Sequence, residues 1–119
     1  YIPQIQSKGG AYHILETNFE NDFKLTPDNL DAFFEHEVSK KQTVLLLNSP
    51  NNPTGAVYTK EECKALAITC RKHNIVVFSD EIYSQINFSE RHSPSISAYY
   101  PEKTIIFGGL SKVFSAGGY

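Results

Sequence analysis

Four side chains of different chemistry stand shortly after runs of apolar residues: the Asn52 amide, the Asp80 carboxylate, the Tyr83 phenol and the Lys112 amine. An amine can attack a carbonyl carbon and afterwards carry a proton. A carboxylate can hold a protonated ring nitrogen, and an amide and a phenol can steady a neighbouring oxygen. Taken singly, none of the four signifies much. Asn52-Pro53-Thr54-Gly55 reads as a turn, Asp80 as a helix cap, Tyr83 as a core aromatic, and Lys112 in its glycine-rich setting as a solvated cation. Glu81 reads as a structural or solvated carboxylate. His13, His36, His73 and His92 lack ligand spacing, so no metal site is assigned.

The elements that must position these groups can be read from the apolar pattern. Thr43–Leu47, Ile75–Phe78 and Thr104–Phe107 are continuous apolar runs of strand length, as expected for strands covered on both faces. Between the first two, Thr59-Lys60-Glu61-Glu62 is a capping box. Cys63, Leu66, Ala67 and Cys70 follow it at helical spacing, and Arg71-Lys72-His73 put positive charge at the helix's negative end. Uniformly apolar strands alternating with a helix predict an α/β fold of three layers, α/β/α, around a mainly parallel sheet. In such a sheet the residues after adjacent strands leave from one edge, about 4.8 Å apart, where they can meet a single ligand.

Upstream, Tyr1–Lys8 reads as the end of a helix closed by Gly9-Gly10, and Ala11–Thr17 as a strand. Thr26-Pro27-Asp28-Asn29 opens a second helix, with a hydroxyl cap and a proline in the first turn. Leu30, Phe33 and Phe34 form its apolar stripe.

Composition narrows the function classes. The chain has 119 residues, 40% hydrophobic and 20% charged, with a net charge of −2, and it lacks an apolar run of membrane-spanning length. No basic field is available to hold nucleic-acid phosphates, so neither nucleic acid nor membrane is expected as a partner. Cys63 and Cys70 lie too far apart along one helix to bridge each other, which suits a reducing cytoplasm. No leader peptide is expected, so the Asn87-Phe88-Ser89 sequon is read as carrying no meaning. The chain begins at Tyr1 and contains no Met, and is read as a piece of a longer protein.

Together, an amide, a carboxylate, a phenol and an amine are what a pyridoxal phosphate ring needs at its phenolic oxygen, its ring nitrogen and its aldehyde carbon. Asn48-Ser49-Pro50-Asn51-Asn52-Pro53-Thr54-Gly55, then Ser79-Asp80-Glu81-Ile82-Tyr83, then Gly109-Leu110-Ser111-Lys112 closely resemble the class I/II pyridoxal-phosphate aminotransferases of fold type I. The resemblance is dense from Leu47 to Tyr119. Tyr1 and Gly9-Gly10 continue it upstream in register. It implies that residues 1–119 form part of the cofactor-binding large domain, with an N-terminal segment and a C-terminal small domain outside them.

The same resemblance implies that Lys112 forms the Schiff base, that Asp80, expected to be buried, pairs with the ring nitrogen, and that Asn52 and Tyr83 bond the phenolic oxygen. It further implies a cis Asn52-Pro53 peptide, amino acid and 2-oxo acid substrates, and a homodimer with the site at the subunit interface. Gly109 departs from the pattern, since many relatives carry there a serine that reaches the cofactor phosphate. The two arginines, Arg71 and Arg91, fit neither the phosphate nor the substrate-carboxylate role of the family. A lyase or decarboxylase of the same fold would use the same four residues, and a non-catalytic fragment or assembly module is the alternative of another class. The 119 residues alone are not expected to transaminate.

Overall fold

In the computed structural model, residues 1–36, 42–88 and 92–117 are described. Ser89 of the sequon, Arg91, and Gly118-Tyr119 fall outside them.

Three strands form one parallel sheet in the order β1 (Val44–Asn48), β2 (Val76–Asp80), β3 (Thr104–Phe107). The register pairs Val44 with Val76 and Asn48 with Asp80 in the first ladder, and Val77 with Thr104 and Asp80 with Phe107 in the second. Parallel neighbours cannot be joined by a tight turn, so each needs a crossover. Between β1 and β2 that crossover is the helix Lys60–Lys72, here called α3; α1 is Ile2–Ser7 and α2 is Pro27–His36. From β2 to β3 the chain runs through short 3-10 turns at Ile96–Ala98 and Pro101–Lys103.

The start of α3 follows directly from its residue types. Thr59 accepts from the Glu62 amide at 3.1 Å and the Glu62 carboxylate accepts from the Thr59 amide at 2.7 Å, which satisfies orphan donors at both ends of the box. Cys63, Leu66, Ala67 and Cys70 then repeat on one face and join Leu47, Val77, Ile75, Ile96 and Tyr100 in the core. At the other end, Arg71 pairs with Glu102 at 2.8 Å, and Lys72 and His73 both face Asp31 of α2. Phe34 of α2 stacks on the His73 ring, with centroids 4.5 Å apart. α2 opens as expected, the Asn29 amide donating to Thr26 Oγ1 at 3.2 Å. α1 closes on Gly9, whose φ of +71° is left-handed, with the Gly10 amide returning to Ile5 O at 3.0 Å.

Two expectations about the strands and their cover differ from the structure. Ala11–Thr17 is not a strand: among the described residues it has no ladder partner, and apolar alternation makes a strand only beside a neighbour that takes its amides and carbonyls. The sheet is also covered unevenly. Leu47 and Val77 are buried with α3, whereas Val44, Ile105 and Phe107, on the opposite face, remain 47%, 50% and 44% exposed.

Candidate active site

β1, β2 and β3 end in line, because Asn48 pairs with Asp80 and Asp80 with Phe107. The segments that leave this edge are Ser49–Gly55 from β1, Glu81–Tyr83 from β2, and from β3 the Gly108-Gly109 link into α4 (Leu110–Val113), which carries Lys112.

The first of these segments is held by its own side chains. The Asn51 amide accepts from Thr54 Oγ1 at 2.8 Å and from the Thr54 amide at 3.2 Å, forming a turn that Gly55 closes at φ +75°. Ser49-Pro50 and Asn52-Pro53 are both cis, the second as the resemblance implies. Asn52 then reaches across to β2's segment, its Nδ2 donating to the Tyr83 hydroxyl at 3.3 Å. Lys112 Nζ stands 5.8 Å from the centroid of the same Tyr83 ring. Tyr83 is therefore the meeting point of three of the four predicted groups.

Asp80 is placed beside them rather than against them. Its Oδ1 accepts from the Ile82 amide at 3.3 Å, and its Oδ2 accepts from the Tyr1 hydroxyl. That phenol is pushed up to about 12, first by its hydrogen bond to the carboxylate, then by burial and by the carboxylate's charge. Asp80 is half-buried, not buried as expected, because it sits on the last rung of its strand at the open edge of the sheet. Asn52 and Lys112 are exposed and Tyr83 is half-buried.

Glu81, between Asp80 and Tyr83, has a structural post. Its carboxylate accepts from Ser79 Oγ at 2.8 Å and Ser95 Oγ at 2.5 Å, and its amide donates to Phe107 O at 2.8 Å. These bonds bind the end of β2 to the Ser95 loop and to β3. At Gly109, an added Cβ would meet Ile82 Cδ1 at 3.0 Å, so a serine there would need the end of that side chain to give by a few tenths of an ångström.

Two residues of this edge were given no role in the site from sequence. Tyr1 reaches Asp80 across 79 positions, a pairing that no local pattern encodes. Asn48 donates to Asp80 O at 3.1 Å and accepts from the Asn52 amide at 3.0 Å; the visible signal was a polar residue ending an apolar strand.

The donor set suits the ring of pyridoxal phosphate: amide and phenol donors together, a carboxylate apart from them, and an amine over the phenol. For the phosphate the described residues offer less. Arg71 is tied to Glu102 and to Tyr99 O ahead of β3, at the opposite edge of the sheet from Lys112. A cavity of about 370 Å³ lies between Phe19–Lys24 and Thr54–Val57, and none of the four candidate residues lines it.

Comparison with known proteins identifies the family. The profile of the family "Aminotransferase class I and II" matches residues 1–119. The aspartate aminotransferase of Bacillus subtilis (strain 168) is 36% identical over 122 residues, covering 100% of this chain and 30% of that protein. A single mutant of the Thermus thermophilus aspartate aminotransferase superposes with a TM-score of 0.87 at 34% identity, over 100% of this chain and 30% of that one. A PLP-bound putative aminotransferase from Clostridium difficile 630 superposes with a TM-score of 0.79 at 27% identity, over 98% of this chain and 30% of that one. The chain thus spans under a third of the length of these relatives. With the match running from Tyr1 to Tyr119 and the three motifs at one sheet edge, the chain belongs to the class I and II aminotransferase family.

Proposed function

We propose that the full-length protein carrying this segment is a pyridoxal-phosphate-dependent aminotransferase that moves an amino group between an amino acid and a 2-oxo acid. These residues would supply the part of its large domain that grips the cofactor ring. The observation that carries the reading is the convergence on Tyr83 of the Asn52 amide at 3.3 Å and the Lys112 amine at 5.8 Å from the ring, beside the end of β2.

Pyridoxal phosphate, when bound, supplies an electron sink for a bond broken at the substrate α carbon. Asp80 would accept a hydrogen bond from the protonated ring nitrogen and so favour its cationic form. Asn52, by its second N–H, and Tyr83, by its hydroxyl, would be the donors to the phenolic oxygen. Lys112 would be the residue that holds the cofactor covalently, and its amine would move a proton at the substrate α carbon. Positioned proton transfer of that kind contributes about 10² to 10⁴ in rate. The groups that hold the phosphate belong, on this reading, to the rest of the protein.

We read the full-length protein as a homodimer with the site at the subunit interface. In support, Leu110 and Phe114 flank Lys112 and are 69% and 70% exposed. A cytoplasmic location is supported by free Cys63 and Cys70, and no helix among the described residues is long and apolar enough to cross a membrane.

The test is made on the full-length protein with pyridoxal phosphate. Borohydride reduction followed by peptide mapping should label Lys112, and a mixture of amino acid and 2-oxo acid should yield the exchanged pair. Product formed without a new amino acid would assign a lyase or decarboxylase instead, and failure to take up the cofactor would leave a non-catalytic protein.

A further inference from the structure

Asn48 ends β1 directly opposite Asp80, which ends β2. Its side-chain amide bonds the two backbones that carry the ring-binding groups, and the Asn51 side chain besides. Nδ2 donates to Asp80 O at 3.1 Å, while Oδ1 accepts from the Asn52 amide at 3.0 Å and from Asn51 Nδ2 at 3.2 Å. The Ser49 amide also donates to Asp80 O, at 3.1 Å, so β1 and the end of β2 are joined at this rung by two bonds. The Asn52 side chain is exposed on a loop, and beyond the brace on its backbone it has the Tyr83 hydroxyl as a partner at 3.3 Å.

We propose that Asn48 is a positioning residue, whose side chain braces the Asn52 backbone against the Asp80 backbone so that the Asn52 amide and the Asp80 carboxylate meet one ring at a fixed separation. This rests on the functional reading above. An amide suits the post and a carboxylate does not, since one bond needs a donor facing Asp80 O and the others need an acceptor. Preorganisation of this kind counts in binding because an unbraced loop must be ordered when the ligand arrives.

The experiment uses the full-length protein and measures its dissociation constant for pyridoxal phosphate, alongside its melting temperature. Asn48→Ala should weaken cofactor binding roughly tenfold, about what one to two lost hydrogen bonds are worth. Asn48→Asp, which keeps the acceptor but sets a carboxylate oxygen against Asp80 O, should weaken binding at least as much as Asn48→Ala. In an Asn52→Ala background, Asn48→Ala should cost little further affinity, because the side chain being aimed is gone. A merely structural Asn48 would lower the melting temperature equally in both backgrounds and weaken binding additively.

Additive losses would overturn the proposal, as would unchanged binding in Asn48→Ala. If Asn48→Ala does not fold, Asn48→Asp carries the comparison, and failure of both to fold would show the residue to be structural. A parent protein that binds no pyridoxal phosphate would remove the functional reading itself, whereas binding by the parent with no effect of Asn48 removes only this role.

Discussion

The Tyr1 hydroxyl donates to Asp80 Oδ2 while the Ile82 amide donates to Oδ1, so both oxygens of the carboxylate at the end of β2 are engaged from the protein side. The phenol can act as a donor only while neutral. Its pKa is pushed up to about 12 from an ordinary value of 10.0. A group whose folded value is raised contributes its stability fully below the unfolded value, and loses it as the pH rises through the folded one. The bond should therefore survive to about pH 12. A difference titration at 295 nm between parent and Tyr1→Phe should show one tyrosine ionising near there, and an ionisation near pH 10 would contradict the bond.

The buried thiols should be unreactive while the chain is folded. Cys63 and Cys70 are 2% and 0% exposed, and burial, foremost, pushes both up to about 11. Since the thiolate is the reactive form, neither access nor ionisation favours attack at neutral pH. With a disulfide reagent at pH 8, both should react only as fast as the structure opens, and at once in denaturant. Immediate reaction of either in the native protein would place α3 elsewhere.

Tyr58 is 5% exposed, and its hydroxyl accepts from the Leu25 amide at 2.7 Å, joining the approach to α2 with the approach to α3. Burial pushes this phenol up to about 12. Tyr58→Phe keeps the ring and deletes the acceptor, leaving a buried amide without it, at a cost of about 1–3 kcal/mol. Denaturant unfolding should show a lower midpoint at unchanged slope. A midpoint equal to the parent's would mean that water replaces the hydroxyl.

How far the molecule was legible in sequence depends on the range of each interaction. β1, β2, β3 and the capping box of α3 were readable because apolar runs and Thr59-Glu62 act over a few residues. The crossing of Asn52 to Tyr83 was reachable only through motif resemblance, since 31 positions separate them and the contact exists because parallel strands end in line. Ala11–Thr17 was misread because alternation describes a face, and a strand also needs a partner edge. Asn48 and Tyr1, named as parts of the resemblance, were given no role for a related reason: each reaches Asp80 over a long range, and residue type alone does not name that partner. The burial expected of Asp80 failed because the end of a strand is an edge of the sheet as well as a place in the pattern.

Acid should loosen the seam between α2 and α3. Asp31 faces His73 Nε2 at 2.5 Å and Lys72 Nζ at 2.9 Å, and these hydrogen bonds, that of His73 first, hold its carboxyl below the ordinary value. Glu62 is pushed upward by burial, but the Thr59 amide and the Lys24 ammonium, 3.0 Å from both of its oxygens, outweigh this and bring it below the ordinary value too. For carboxyls lowered on folding, the unfolded chain binds more protons in acid. Their contribution is therefore complete above the unfolded pKa of about 4 and is lost as the pH falls through the folded values. Both pairs reach solvent, so salt should blunt the effect. The unfolding midpoint should decline between about pH 5 and pH 3 in low salt. Asp31→Asn with Glu62→Gln should start lower at neutral pH and decline less through that window, and a pH profile parallel to the parent's would show that neither pair carries stability.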